Sequence, residues 1–375
     1  MEIFSNQPLR PHPHIAIFSS TKVGNFVVIT PLLRGLKEKY PDSILDFFGS
    51  EITKDLEIHS PYIDWRFSLY TDRQDFLGTL AQAVRQRCEI AGVYDLAINC
   101  DEFSEINLVT VTAIRPTYVA GGALSQDFRL KLDASHDPVQ KILSDPDWNS
   151  PAFLNRHQEI LTSNYISEIF CRIAYVETDF FQLELPSKAP NFPVPDVIIS
   201  VTATRPAKMW PVVYWQQVIQ WCESQGLTVG LVGSSPQIQQ TLYFSDRTED
   251  YLLAETSLID LRGKTSLTEL AGTCRQARLC ITVDSGLLHI AAAVGCPTVA
   301  IFGNDVDGDG ASPIRLWSPR QPYVKIALTD FKCTICQEHN FHNKFCLVDN
   351  HPCMTNLLPQ TVINYLQNLN QYNYS

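Results

Sequence analysis

The segment 279–302 constrains the fold more than any other part of this chain. An apolar run ends in the polar turn Asp284-Ser285-Gly286, an amphipathic stretch follows, and a second apolar run begins after Pro297. This order predicts a buried strand, a tight turn, a short helix and another buried strand. A chain built from such units folds as an α/β protein, with a parallel sheet covered on both faces.

The turn places Asp284, Ser285 and Gly286 at the N-terminus of the predicted helix, with His289 one turn further on. Free backbone N–H groups and the positive end of the helix dipole suit a phosphate or diphosphate at this position. In a doubly wound domain, ligands bind at this edge, where strands run into helices. The alternative is that the Asp-Ser pair only caps the helix.

The chain has 375 residues, which fits two domains of ordinary size. No apolar stretch approaches the roughly 18 residues of a membrane span, and the first residues lack the basic and apolar regions of a signal peptide. We therefore expect a cytoplasmic protein. The net charge of −11 disfavours nucleic acid as a partner. A local basic patch would still allow peripheral contact with the inner membrane.

Strand and helix patterns alternate in both halves and are interrupted by a proline-rich segment at 184–195. Prolines at that density end helices and central strands, so we predict a linker there. We expect an N-terminal Rossmann-like domain over 1–185, a C-terminal one over 186–357, and a last helix within 358–375 that packs back toward the N-terminal domain. Segment 126–157, rich in Asp, Pro, Ser and His, is expected to be a surface loop.

A second anion-binding segment is predicted at 202–211, because it joins a buried strand to a helix and contains hydroxyl side chains, an Arg and a Lys. The alternative is a solvated loop in which Trp210 anchors the packing. A third polar run, 260–270, contains Ser266 and Glu269 in the spacing of a capping box, which predicts the start of a helix.

Taken in order, these motifs resemble the heptosyltransferase family (glycosyltransferase family 9). They read Lys-x-Trp-Pro, Leu-x-Gly-Lys-Thr-Ser-Leu-x-Glu-Leu, Asp-Ser-Gly-x-x-His-x-Ala-Ala, and a cysteine group that ends in Cys353-Met354. The N-terminal runs 22–25 and 30–37 are similar to that family's opening motif. The resemblance implies an α/β protein of the GT-B fold, in which two Rossmann-like doubly wound domains face each other across a cleft.

The resemblance also implies an inverting glycosyltransferase that needs no cofactor for catalysis. It would move a heptose or related sugar from a nucleoside-diphosphate sugar, typically ADP-heptose, to lipopolysaccharide core or another glycan or protein acceptor. Asp284 would face the donor sugar hydroxyls, and Asn25, Lys208 and Asp284 are the candidate catalytic residues. The diphosphate pocket would be lined by polar residues of two turns, namely Thr204, Lys208, Ser285, Gly286 and His289.

This sequence departs from the family at the residue that would serve as the base. The family's first loop reads Gly-Asp, whereas this chain reads Gly24-Asn25, and an amide cannot take the acceptor's proton. Either Asn25 only orients the acceptor, or Asp101 or Glu102 is the base, or the protein binds a sugar nucleotide or glycan without turnover. A sugar-nucleotide epimerase or hydrolase is a further alternative.

The eleven cysteines fall into two groups. Seven lie in apolar segments and are expected to be reduced core residues of a cytosolic protein. Four lie close together and begin with the C-x₂-C spacing of a metal site, namely Cys333, Cys336, Cys346 and Cys353. Some heptosyltransferase relatives that modify autotransporters carry iron on four cysteines. We therefore predict a structural zinc or iron site here, with reduced or redox-active thiols as the alternative.

Overall fold

Each half of the chain forms a parallel β-sheet flanked by helices. The computed structural model describes residues 1–70, 75–101, 103–134, 136–238, 247–305, 307–308 and 310–372. The chain divides into two units, Met1–Pro186 and Ser187–Ser375. Two parallel-sheet α/β units are the architecture predicted from the alternating pattern, and that prediction is confirmed.

The first unit contains a parallel sheet with the strand order β1-β6-β5-β2-β3-β4. Its strands are β1 (Glu2–Ile3), β2 (His14–Phe18), β3 (Ile44–Ser50), β4 (Trp65–Tyr70), β5 (Leu96–Asn99) and β6 (Tyr118–Gly121). Its α-helices are α1 (Val23–Lys39), α2 (Lys54–His59), α3 (Phe76–Ala91), α4 (Glu105–Ala113), α5 (Pro151–Arg156) and α6 (Ile166–Ile173).

The order of the strands fixes where this unit can bind a ligand. Strand β2 pairs with β3 on one side and with β5 on the other, and β2 and β5 are the two central strands of the sheet. The chain winds outward from these two strands in both directions. That point is the topological switch point, and doubly wound sheets bind ligands outside the carboxyl ends of the strands there. The segments that leave β2 and β5 carry Asn25 and Asp101, respectively.

Helix α1 contains Pro31 in its interior, where proline removes a backbone N–H. The carbonyl that this N–H would bond belongs to Val27. The Thr30 hydroxyl donates to that carbonyl oxygen at 2.8 Å and so replaces the missing bond. The same hydroxyl accepts the backbone N–H of Glu184 at 3.2 Å, which ties the end of the unit to α1.

The second unit repeats the arrangement, with the strand order β12-β11-β10-β7-β8-β9. Its strands are β7 (Val197–Ser200), β8 (Val229–Leu231), β9 (Ile259–Asp260), β10 (Leu279–Val283), β11 (Thr298–Ile301) and β12 (Val324–Ala327). Its α-helices are α7 (Val212–Ser224), α8 (Thr248–Glu255), α9 (Leu267–Gln276), α10 (Gly286–Ala293), α11 (Ile314–Trp317), α12 (Ile335–Glu338), α13 (Pro352–Thr355) and α14 (Pro359–Tyr372). The switch point lies between β7 and β10.

The C-terminal helix α14 packs on α7 and on strands β11 and β12 of its own unit. Val362, Ile363 and Leu366 of α14 are buried in the core that also contains Trp215 and Met354. The apolar face of the helix is thereby covered within the second unit. Its expected packing toward the N-terminal domain stays a prediction.

Segment 126–157 is more ordered than a surface loop, so that part of the prediction is wrong. It contains a 3₁₀ helix, Gln140–Ser144, and helix α5, whose N-cap Ser150 accepts the backbone N–H of Phe153 at 3.1 Å. Ile142 and Phe153 are fully buried, and these two apolar anchors hold a segment whose overall composition is polar. Among the described helices, none is long and apolar enough to cross a membrane.

Candidate functional site

The ends of β7 and β10 bring two of the predicted site residues into contact. Strand β10 ends immediately before Asp284, and Lys208 closes a 3₁₀ turn, Pro206–Lys208, in the segment that follows β7. Lys208 Nζ donates to Asp284 Oδ2 at 2.5 Å, and the side chains are only 16% and 9% exposed. A nearly buried ion pair therefore occupies the switch point of the second sheet.

The Asp284 carboxylate receives a second hydrogen bond, from Ser312. The Ser312 hydroxyl, which is fully buried, donates to Asp284 Oδ2 at 2.7 Å. Burial alone would raise the pKa of Asp284, but the charge of Lys208 and the two hydrogen bonds outweigh it and hold the pKa below its ordinary value. Sequence reasoning missed Ser312. Its position after β11, at the same edge of the sheet, was the available signal.

The N-terminus of α10 is not closed by a capping side chain. Ser285 is the N-cap residue, yet it makes no side-chain cap hydrogen bond. Its hydroxyl instead pairs with the Thr282 hydroxyl at 3.0 Å. Gly286 is the first helical residue and brings no side chain over the helix end. The Ser285 side chain therefore does not cap the helix, and it leaves the N–H groups in the first turn of α10 without that bond.

His289 lies one turn into α10 and is 4% exposed. Burial lowers the pKa of His289 to about 4; the Asp284 charge acts in the opposite direction and the Lys208 charge in the same one. The imidazole is therefore neutral at pH 7. Its Nδ1 atom is buried and has no hydrogen-bond partner among the described residues.

The other predicted donor-site elements have different surroundings. Thr204 is exposed in the segment that leads to Lys208. Arg205, in the same segment, points its guanidinium at the carbonyl oxygens of Ala311 and Asn343. The run 260–270 shows the predicted capping box, because Ser266 and Glu269 exchange both hydrogen bonds at the start of α9.

In the first unit, Asn25 and Asp101 lie beside neighbouring strand ends. Asn25 is in the first turn of α1 and is half-buried. Asp101 follows β5, and its carboxylate accepts the backbone N–H groups of Phe103 and Ser104. Burial raises the pKa of Asp101, and the positive charge of Lys22 partly offsets that rise. Glu102, the other candidate base, lies outside the described residues.

The four clustered cysteines do not form the predicted metal site. They are free thiols that interact electrostatically with one another. Within the ranges that the structure describes, no group of three or more His, Cys, Asp or Glu side chains is placed to hold a metal ion. The arrangement of Cys333, Cys336, Cys346 and Cys353 therefore does not fit the zinc or iron ion predicted from their spacing.

Contacts of the individual thiols account for this disagreement. Cys336 Sγ accepts a hydrogen bond from Asn343 Nδ2 at 3.2 Å, and the Cys346 thiol donates to the Val348 carbonyl oxygen at 3.4 Å. Burial raises the pKa of Cys346 and raises that of Cys353 to about 12. The sulfur atoms of Cys336 and Cys346 therefore both make hydrogen bonds to protein groups.

Comparison with known proteins gives a family match over the second half of the chain. Residues 175–344 match the model of glycosyltransferase family 9 (heptosyltransferase). The chain is 33% identical over 104 residues to lipooligosaccharide heptosyltransferase 2 of Haemophilus influenzae, covering 26% of this chain and 28% of that protein. It is 30% identical over 168 residues to lipopolysaccharide heptosyltransferase 1 of Pseudomonas aeruginosa, covering 43% and 44%. The chain thus spans less than half the length of these two curated relatives.

Solved structures match over nearly the whole chain. A glycosyltransferase family 9 protein from Veillonella parvula has a TM-score of 0.67 at 17% identity, covering 95% of this chain and 97% of that one. The iron-containing dodecameric glycosyltransferase TibC of enterotoxigenic Escherichia coli has a TM-score of 0.57 at 16% identity, covering 97% and 80%. At these identities the likeness concerns the fold, and it confirms two GT-B-type α/β domains. The family match confirms the resemblance to heptosyltransferases.

The lowered pKa of His289 predicts a specific loss of stability in acid. The unfolded chain binds a proton at this residue below its ordinary pKa of 6.5, whereas the folded protein excludes it until about pH 4. The free energy of unfolding therefore falls by about 2 kcal/mol between pH 7 and pH 5 through this group. His289→Gln is expected to remove that part of the fall, as measured by urea unfolding at both pH values.

The exposed His12 provides the matched control for this measurement. His12→Gln is expected to keep the full acid-dependent loss of unfolding free energy, because the His12 side chain lies on the surface and outside the candidate site. An unchanged pH dependence in His289→Gln would contradict a neutral, buried His289.

Proposed function

We propose, from the match of residues 175–344 to the glycosyltransferase family 9 (heptosyltransferase) model, that the protein transfers a sugar from a nucleoside-diphosphate sugar to a glycan acceptor. The contact between Lys208 and Asp284 carries the proposal. It joins a cation and a carboxylate beside the open N-terminus of α10, at the edge where doubly wound sheets bind ligands. The second unit would hold the donor and the first unit the acceptor.

The chemistry of the leaving group fits these residues. Breaking the bond to the anomeric carbon leaves negative charge on a nucleoside diphosphate. Lys208 has three N–H donors, of which one bonds Asp284, so two remain for phosphate oxygens. The first turn of α10 and the neutral His289 would add further donors. Fixed donors of this kind stabilise charge that develops in the transition state, and here the chain itself would supply them.

The identities of donor and acceptor follow the relatives. The two curated relatives are named for heptose transfer to lipopolysaccharide or lipooligosaccharide, and TibC is described in complex with ADP-D-beta-D-heptose. We extend ADP-heptose and a lipopolysaccharide-type acceptor to this chain, with inversion at the anomeric carbon. Both described hydrogen bonds to Asp284 use Oδ2, so Oδ1 would accept the hydroxyls of the sugar.

The proposed reaction takes place in the cytoplasm. All eleven cysteines of the chain are free thiols in the structure. Thiols persist in that state in the reducing cytosol, whereas disulfides form in secreted proteins.

On the acceptor side we propose Asp101 as the general base. It lies at the switch point of the first sheet, because β5 pairs with β2 and Asp101 follows β5. Burial raises its pKa, which makes the carboxylate a stronger proton acceptor than an ordinary aspartate. Asn25, in the neighbouring segment, would orient the acceptor hydroxyl through its amide. Binding without turnover is the second candidate function, and Asn25 is the observation that favours it.

The donor proposal predicts that Lys208→Ala weakens the binding of ADP. Charge-assisted hydrogen bonds to phosphate are lost, which corresponds to roughly 10–100-fold in affinity. Calorimetric titration with ADP, UDP and GDP measures this effect, and the same titration identifies the preferred base.

Lys325→Ala is the matched control, because Lys325 is an exposed lysine on β12 of the same unit. It is expected to bind ADP as the native protein does. Equal affinity of Lys208→Ala and native protein, with both folded by circular dichroism, would remove Lys208 from the donor site.

The base proposal predicts that Asp101→Asn lowers turnover by roughly 10²–10⁴-fold and leaves ADP binding unchanged. Asn25→Asp is expected to leave turnover nearly unchanged. The native rate should fall as pH decreases through the raised pKa of Asp101, at a higher pH than for an ordinary carboxyl group. Release of ADP from ADP-heptose, with and without lipopolysaccharide core oligosaccharide, measures these rates.

Glu105→Gln serves as the control for Asp101, since Glu105 is an exposed carboxylate in the first turn of the neighbouring helix α4. A native rate in Asp101→Asn would exclude this residue as the base. Binding of ADP-heptose without release of ADP under any acceptor would favour the function of a binding protein.

A further inference from the structure

Arg205 is held by the cysteine-rich segment, residues 333–353. Its Nε donates to the carbonyl oxygen of Asn343 at 2.9 Å, and its Nη2 donates to the side-chain Oδ1 of the same residue at 3.0 Å. Nη1 donates to the Ala311 carbonyl oxygen at 3.1 Å. The planar guanidinium thus binds Asn343 through two hydrogen bonds, which fix its direction as well as its distance. The hydrogen bonds of Arg205 therefore go to protein groups, and Lys208 is the cation that pairs with Asp284.

Asn343 connects Arg205 to the cysteine-rich segment. Its Nδ2 donates to the carbonyl oxygen of Phe345 at 2.9 Å and to Cys336 Sγ at 3.2 Å. The side-chain amide is therefore bonded at both ends, which fixes its orientation. Cys336 Sγ thus accepts one of the hydrogen bonds that fix the Asn343 amide.

The residue next to Lys208 is held by the same segment. The backbone N–H of Ala207 donates to the Lys344 carbonyl oxygen at 3.2 Å. His351 Nε2 donates to the Ala207 carbonyl oxygen at 2.9 Å. Both backbone groups of Ala207 are thus bonded to residues 344–351, and Ala207 is itself buried. The N–H of Lys208 closes the turn on the Arg205 carbonyl oxygen at 2.9 Å.

We propose that Asn343 and His351 are positioning residues that set Lys208 for the nucleoside diphosphate, an inference that rests on the proposed donor site. They hold Arg205 and Ala207, the residues on either side of Pro206 in the turn that Lys208 closes. Lys208 therefore meets the phosphates in a fixed place, with less freedom to lose on binding. A displacement of about 1 Å in such a group is enough to lower activity 10²-fold. The cysteine-rich segment acts on the donor through Lys208.

A double-mutant cycle tests this inference, with the nucleoside diphosphate that binds most tightly among ADP, UDP and GDP as the probe. Asn343→Ala and His351→Ala are each expected to weaken its binding about tenfold, the order expected for a lost hydrogen bond at a binding site. In the Lys208→Ala background the same substitutions are expected to have no further effect, because residues that act through Lys208 couple to it. His351→Gln, whose amide can donate to Ala207, is expected to restore most of the binding.

Gln337→Ala is the control, since Gln337 is exposed on α12 within the same segment. It should bind the probe as the native protein does. Equal fold-losses in the native and Lys208→Ala backgrounds would overturn the positioning role and leave the donor site intact. An unchanged affinity in Lys208→Ala alone would overturn the donor site and the positioning role together. If Asn343→Ala does not fold, the binding of the probe to His351→Ala and His351→Gln, with and without Lys208→Ala, tests the positioning role in the same way.

Discussion

The ion pair between Lys208 and Asp284 is the interaction on which the second unit depends. Both charges are nearly buried, and a buried charge whose partner is removed costs about 3–5 kcal/mol. The pair can form only because β7 and β10 are adjacent, which in turn follows from the doubly wound order of the sheet. The fold therefore brings the ends of β7 and β10 together, and the short polar segments that follow these strands provide Lys208 and Asp284. The Ser312 hydroxyl bonds to Asp284 of this ion pair, and the N-terminus of α10, which begins two residues after Asp284, has no side-chain cap.

The two units place a lysine and an aspartate at equivalent positions, but the surroundings shift the pKa of the two aspartates in opposite directions. Each switch point carries a lysine and an aspartate, Lys208 with Asp284 in the second unit and Lys22 with Asp101 in the first. The charge of Lys208 and the hydrogen bonds from Lys208 and Ser312 hold the pKa of Asp284 low, whereas burial prevails at Asp101 and raises its pKa. Carboxyl groups whose pKa values are pushed apart serve different tasks, one as a fixed charge and one as a proton acceptor. The division of labour proposed for the two units follows from this difference in environment.

Local periodicity was sufficient to predict strands β10 and β11 and the turn at Asp284 that follows β10. The same patterns marked Lys208 and Asp284, which the structure brings into contact. The edge strand β4 was not predicted, although its sequence Trp-Arg-Phe-Ser-Leu-Tyr alternates apolar and polar residues as a strand with one buried face does. Contacts across long stretches of chain were also missed, among them Ser312 with Asp284 and Asn343 with Arg205. No periodic pattern encodes such pairs, since they depend on which loops meet at one sheet edge. The spacing of the four cysteines suggested a metal ion, but spacing does not show whether a sulfur bonds to the protein instead.

The bonds from Asn343 and His351 to the turn at Lys208 span more than a third of the chain. A ribosome makes the chain from its N-terminus, and domains fold as units while synthesis continues. The first unit is therefore complete long before the donor turn receives its last hydrogen bonds. A nascent chain, or a product truncated before residue 343, would carry Lys208 on a loosely held turn. The proposed binding of a sugar nucleotide would then be acquired at the end of biosynthesis, so that unfinished chains would not compete with the finished protein for it.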